Sequence, residues 1–325
     1  MYADCSASCA GMSRGAGSAM RVLFFGTSEF AVPSLAALCE DPAFQIVAVV
    51  TQPDSPSGRG RHLARPPVKE AAEERGLHVV QPERVRRPEF VEWVRSLAPD
   101  AIALASFGQI IPVSLLQVPP LGPINVHASL LPKYRGAAPI QRAIMNGETV
   151  TGVCTMWMEP TLDTGDVLLR EEVPILPDET GGELTERLAV VGARLLVETL
   201  KRLAQGDCPR QPQNHSEATY APAITPEDAR IAWNEPAERT VCRVRAMAPR
   251  PGAVAELAGR RIKVWRAELA EGSGSPGEVT AVGPKGVCVA AGDAAVCLLE
   301  VQPENGRRMS ALDWARGLRL APGRG

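Results

Sequence analysis

Aromatic residues make up only 4% of this 325-residue chain, and histidine occurs four times. Basic and acidic side chains nearly cancel, 35 against 37, leaving a formal charge of -2. So even a balance excludes a globally basic protein, and any nucleic-acid contact has to be argued from local patches. No run of 18 or more apolar residues occurs, which speaks against a membrane-spanning helix. The eight cysteines (5, 9, 39, 154, 208, 242, 288 and 297) form no Cys-x-x-Cys pair and no Cys/His ligand spacing. They read as free thiols of a reducing compartment, so neither a disulfide framework nor a structural zinc site is expected. A Walker motif and a G-x-G-x-x-G turn are also missing, so a nucleotide cofactor finds no support.

What remains is ordinary for a globular protein: 45% hydrophobic, 22% charged, and long enough for two domains. Residues 1–19 are small, polar and without period, with too short an apolar stretch for a signal peptide. They read as a disordered extension, with the fold beginning at Met20. From there apolar runs alternate with helical periodicity. Strands are expected at 21–25, 46–50, 78–80, 100–105, 122–127, 152–158 and 167–173. Helices are expected at 34–40, 68–75, 88–97, 137–145 and 183–203. That alternation predicts an α/β fold with a Rossmann-like, doubly wound, mostly parallel sheet over 20–206. Residues 207–226, rich in Pro, Gln, Asn and Ser, read as a linker. Short β-prone segments between Gly/Pro turns over 227–325 predict a small, OB-like C-terminal β-barrel domain.

In a doubly wound sheet ligands bind beyond the carboxyl ends of the strands. Asn125 and His127 are alternate residues at such an end, so they share one face of the strand. An amide donor beside an imidazole can stabilise a developing oxyanion and handle a proton. Asp163, in the loop Thr161-Leu162-Asp163-Thr164-Gly165-Asp166, is the best candidate to orient the imidazole. Asp-Thr-Gly also suggests an aspartic protease, but that chemistry needs two carboxylates sharing a proton and there is one such loop.

The combination Asn125-x-His127, Ser129-Leu130-Leu131-Pro132, Arg135-Gly136, Pro139-Ile140-Gln141 and Leu162-Asp163-x-Gly165 resembles the folate-dependent formyltransferases, and most of all those acting on methionyl-tRNA. Gly108-Gln109-Ile110-Ile111-Pro112, Tyr220-Ala221 and Lys263-Val264-Trp265 extend the likeness over about residues 20–320. The resemblance implies formyl transfer from 10-formyltetrahydrofolate, without a metal, to the amino group of methionyl initiator tRNA. It makes Asn125, His127 and Asp163 the catalytic trio and Ser129, Leu130, Leu131 and Pro132 the lining of the folate site. Two departures stand out: Ala248-Pro249-Arg250-Pro251 replaces an aromatic-rich segment, and Phe107 replaces a tyrosine near the folate pocket.

Two basic elements suit an RNA backbone. Residues 59–69 hold four Lys/Arg and no acid; Arg59 matches the family's key acceptor-stem arginine, with Arg61 and Lys69 beside it. Residues 239–266 carry a local charge of +7, including Arg243, Arg245, Arg261 and Lys263. A monomeric cytoplasmic enzyme with no membrane partner is expected. A formyltransferase acting on a small amine (glycinamide ribonucleotide or an amino sugar nucleotide) and a non-catalytic RNA-binding protein are the alternatives. The basic loop and the extra β domain favour the tRNA substrate, since the glycinamide ribonucleotide enzyme resembles only the N-terminal portion.

Overall fold

The first strand shows how sequence sets the layers. In β1 (Met20–Gly26) Val22 and Phe24 point to one side of the sheet and Leu23 and Phe25 to the other, and all four are fully buried. A strand buried on both faces reads as a continuous apolar run rather than an alternating one. The computed structural model describes residues 18–57 and 62–323.

Five parallel strands follow one another through helices: β1, β2 (Phe44–Val50), a short edge strand (Val79–Val80), Ala101–Ala105 and Pro123–His127. Between β2 and the edge strand stands an unexpected hairpin. In chain order the hairpin is β3 (Ser55–Ser57) and β4 (His62–Ala64), the edge strand β5, and the next two β6 and β7. β8 (Val150–Trp157) and β9 (Val167–Pro174) extend the sheet antiparallel beyond β7. The order β5-β2-β1-β6-β7-β8-β9 reverses direction between β1 and β6, the switch point at which such sheets bind ligands.

Helices cover both faces. α1 (Val32–Glu40) lies with the Val22/Phe24 layer. α2 (Pro67–Glu74) follows the hairpin, and α3 (Pro88–Leu97) buries Phe90, Val91 and Val94 against Leu23 and Phe25. A one-turn α4 (Val113–Leu116) and α5 (Pro139–Met145) flank β7 in sequence. The 25-residue α6 (Gly181–Gln205) starts on a Thr180/Glu183 capping box and ends at Gly206, φ 72°. Within it Gly192 lets the helix come close to β7, because a Cβ there would meet Val126 Cγ1 at 2.7 Å. The strand carrying Asn125 and His127 is thereby packed directly under α6.

The C-terminal unit is antiparallel, as expected: β10 (Ala253–Leu257), β11 (Arg260–Ala270), β12 (Val279–Gly283), β13 (Gly286–Ala290) and β14 (Ala295–Pro303), in the order β10-β11-β14-β13-β12. β15 (Met309–Ser310) pairs with β14. Two helices were not foreseen, α7 (Ala237–Met247) before the sheet and α8 (Ala311–Leu318) after it. One apolar cluster runs unbroken from Phe24 and Leu188 through Ile231 and Val244 to Val301 and Trp314, so the two units share a core. Among the described residues no helix is long and apolar enough to cross a membrane.

An ion pair pins the junction between the units. Arg142 of α5 grips Asp228 through Nη1 at 2.6 Å and Nη2 at 2.7 Å, and the Thr225 N–H and hydroxyl donate to the same carboxylate. Arg142 foremost holds the Asp228 carboxyl down to about 2. A depressed carboxylate stabilises the fold above its unfolded pKa, near 4, and that stability fades as pH falls towards about 2. Asp228→Asn is expected to cost about 1–2 kcal/mol at pH 7. The gap between variant and parent in urea denaturation is expected to narrow steadily between pH 4 and pH 2.

Candidate active site

A cavity of about 790 Å³ opens at the switch point, between the ends of β1, β6 and β7. Its size falls in the range of small-molecule sites. Its lining includes the apolar side chains of Phe30, Phe107, Ile111, Ile140, Met156 and Met158. Asn125, His127 and Asp163 line the same cavity, so the structure brings the expected trio together.

Each member is held by identifiable contacts. His127 is buried at the last position of β7, and its Nε2 lies 3.0 Å from the Tyr134 carbonyl. A carbonyl only accepts, so Nε2 carries the hydrogen, and in the neutral ring Nδ1 is the nitrogen with the lone pair. Nδ1 lies 3.7 Å from Asp163 Oδ2, an electrostatic neighbour rather than a hydrogen-bond partner at that length. Asp163 adopts φ 52°, and its Oδ2 accepts the Gly136 N–H at 2.8 Å. The Asn125 amide, 8% exposed, makes no hydrogen bond to another described residue. A buried amide with spare donors facing a cavity is available to a ligand oxygen.

Three consecutive residues organise this arrangement. Tyr134 gives its carbonyl to His127 and Gly136 gives its N–H to Asp163. Arg135 between them exchanges backbone hydrogen bonds with Thr219 and Ala221. Tyr134 is itself at φ 59°, anchored by its hydroxyl, which donates to Glu148 Oε1 at 2.7 Å and accepts from Asn146 Nδ2 at 3.1 Å. Burial pushes the Tyr134 phenol up to about 12, so it stays a donor at neutral pH.

The opposite wall is braced by the β1 turn. Thr27 Oγ1 donates to the Phe107 carbonyl at 2.8 Å, and Gln52 Nε2 donates to the same oxygen at 3.1 Å. Gln109 Nε2 donates to Gln52 Oε1, and Gln109 Oε1 accepts the Val85 N–H. These polar braces leave Phe107, Ile111 and the neighbouring backbone to face the cavity. The sequence signal for this wall was the Gly108-Gln109-Ile110-Ile111-Pro112 segment.

Ser129, Leu130, Leu131 and Pro132 are not among the residues lining this cavity, which include Ala128 and Gly136 on either side of them in sequence. Ser129 is fully buried with its hydroxyl donating to the Lys133 carbonyl at 2.6 Å. Leu130 packs on Gly152 of β8, and Leu131 enters a small cluster with Cys154, Met156 and Val167. The segment shapes the turn after His127 from behind.

The basic residues are dispersed. Arg59 and Arg61 lie outside the described residues, between strands β3 and β4. Lys69 is half-buried and donates to both oxygens of Asp54, at 2.9 and 2.7 Å. Gln81 and Lys69 together hold that carboxyl below the usual carboxylate range. Arg243 and Arg245 sit on α7. Arg243 pairs with Glu235 at 2.5 Å, and Arg245 donates to the carbonyls of Glu179 and Leu176. Arg261 and Lys263, alternate residues of β11, are exposed and share a face.

The formyl transferase family profile matches residues 20–200, and that of the formyl transferase C-terminal domain matches residues 223–319. The chain belongs to the formyltransferase family. A methionyl-tRNA formyltransferase of Symbiobacterium thermophilum is 50% identical over 302 residues, 92% of either chain. The structure of HypX from Aquifex aeolicus in complex with tetrahydrofolic acid superposes with a TM-score of 0.61 at 23% identity. It covers 93% of this formyltransferase, which spans about half of that longer chain. The N-formyltransferase from Helicobacter canadensis, in complex with folinic acid and dTDP-3-aminofucose, superposes with a TM-score of 0.63 at 16% identity, over 86% of this chain and 99% of its own. At these identities the two structures show a shared fold. The family uses folate, and among the described residues no three His, Cys, Asp or Glu side chains gather as a metal would require.

The hub glycine of this formyltransferase can be tested directly. Gly136 has φ 122°, and a Cβ there would meet the Ala221 carbonyl oxygen at 2.7 Å. Gly136→Ala is expected to lower stability by about 2–3 kcal/mol in denaturant unfolding, from strain and the displaced backbone contact.

Proposed function

We propose that the chain transfers a formyl group from 10-formyltetrahydrofolate to the α-amino group of methionyl initiator tRNA, supporting the start of translation. The observation that carries this is the 50% identity to a methionyl-tRNA formyltransferase along 92% of both chains, C-terminal unit included. Residues 20–206 then form the catalytic domain, 207–226 the connection and 227–325 the tRNA-binding domain. Arg59, Arg61, Arg261 and Lys263 are the cations that meet the RNA backbone. The enzyme acts as a monomer in this reading, and the substrate places the reaction in the cytoplasm.

The folate donor supplies an activated formyl carbon. The apolar lining residues Phe107, Ile111, Met156 and Met158 suit its flat heteroaromatic ring. The side-chain amide of Asn125, buried and unpartnered, donates to the formyl oxygen and stabilises the negative charge that develops there. An α-amino group titrates at about 7.7–8.0, so a useful neutral fraction is present at pH 7. As its nitrogen bonds to the formyl carbon, His127 Nδ1 takes the amine proton, while Nε2–H remains on Tyr134. The imidazolium so formed faces the Asp163 carboxylate, and the proton then passes to the departing nitrogen. His127 ends the cycle neutral, and Asp163 stays ionised.

The test is formyl transfer to charged initiator tRNA beside free methionine, glycinamide ribonucleotide and an amino sugar nucleotide. Activity confined to the charged tRNA is expected; activity on a small amine alone would give the site a different acceptor. His127→Ala is expected to slow transfer by about 10²–10⁴-fold with tRNA binding retained. Arg261→Ala and Lys263→Ala should each weaken tRNA binding and flatten its log-log salt dependence by about 1, read in binding titrations.

A further inference from the structure

Gln213 is buried in a stretch that is otherwise exposed and rich in proline and polar residues, and its carboxamide is fully used. Nε2 donates to the carbonyl of Asp163 at 2.9 Å and to that of Gly165 at 2.6 Å. Oε1 accepts from Arg135 Nε at 3.1 Å and from Arg135 Nη2 at 2.7 Å. The guanidinium only donates and the carbonyls only accept, so the amide has one orientation. Arg135 is 2% exposed, and its remaining contact through Nη2 is to His215 Nδ1 at 3.0 Å. The segment from 211 to 221 thus crosses the catalytic loops. Thr219 donates to the Pro132 carbonyl, Arg135 pairs with Thr219 and Ala221, and Gln213 clasps the 163–165 turn.

That turn is the part of the site that needs holding. Asp163 has a left-handed backbone, a conformation that persists when its surroundings over-determine it. Its carboxylate rests on Gly136 N–H and its carbonyl on Gln213. Both supports trace to neighbouring residues of one hub, Gly136 directly and Arg135 through Gln213.

We propose that Gln213 is a positioning residue for formyl transfer: it transmits the fixed placement of Arg135 to the Asp163 turn and so sets the carboxylate against His127 Nδ1. This rests on the reading of Asp163 as a catalytic group. It makes the connection between the domains part of the reaction machinery rather than a tether. It also explains why a buried arginine is matched to a neutral amide. A carboxylate at 213 would satisfy Arg135 but would turn an oxygen towards the Asp163 and Gly165 carbonyls.

Gln213→Glu, nearly the same size, separates hydrogen-bond polarity from packing. Its kcat is expected to fall on the order of 10²-fold, the scale of an ångström's misplacement, while KM for charged tRNA and for the formyl donor changes little. In an Asp163→Asn background the same substitution should cost little more, because the group it positions is already lost. Full kcat in folded Gln213→Glu would overturn the proposal, as would losses that multiply in the double variant. Where Gln213→Glu does not fold, Gln213→Ala replaces it in the same cycle with the same criteria. Unimpaired transfer by Asp163→Asn alone would instead overturn the catalytic reading of Asp163.

Discussion

Tyr134, Arg135 and Gly136 alternate carbonyl, guanidinium and N–H, and each of the three is given to a different part of the site. His127 binds the first, the 213–215 segment the second and Asp163 the third. Two of these residues, Tyr134 and Gly136, have positive φ, and so does Asp163 itself. Such a backbone persists only when its hydrogen bonds are completed from elsewhere. Here Thr219, Ala221 and Gln213 complete them, so the geometry of this cavity wall depends on chain that follows the sheet by dozens of residues.

The parallel sheet supplies the other half. β7 delivers Asn125 and His127 to the cavity edge from a strand that is buried throughout and packed under α6 at Gly192. A rigid strand for the amide and imidazole, opposed by a turn held through side-chain hydrogen bonds, is a reasonable division of labour. The strand sets direction and the hub sets separation. The shared apolar core and the Arg142–Asp228 pair tie the C-terminal unit to this assembly.

Most of the sheet was legible because its strands are buried on both faces and bounded by turns. The expected helix 88–97 matches Pro88–Leu97, and strand 122–127 becomes Pro123–His127. That Asn125, His127 and Asp163 meet at one cavity was legible from alternation on one strand, one acidic loop and the family resemblance. The rest depended on long-range contacts that leave no period. The 211–221 segment reads as a linker because its hydrogen bonds go to residues far away in sequence, so Gln213 looks like any polar loop residue. Ser129–Pro132 follow His127 directly, yet a sharp turn sends them into the β8 side of the wall. α7 did leave a signal, with Ala237, Thr240, Val244 and Met247 at helical spacing, but the charge of its arginines drew attention to RNA instead. Arg243 and Arg245 are spent on internal contacts, which a count of charges does not reveal.

The most direct test of this account is nitrogen-15 NMR of the histidine rings, with His127 assigned by comparison with His127→Gln. A neutral His127 with its hydrogen on Nε2 and a lone pair on Nδ1 is the predicted result, because the Tyr134 carbonyl accepts from Nε2 and leaves Nδ1 to receive the amine proton. A neutral ring carrying its hydrogen on Nδ1 would contradict it, since the hub would then not orient the imidazole and the proton could not be taken at the nitrogen beside Asp163.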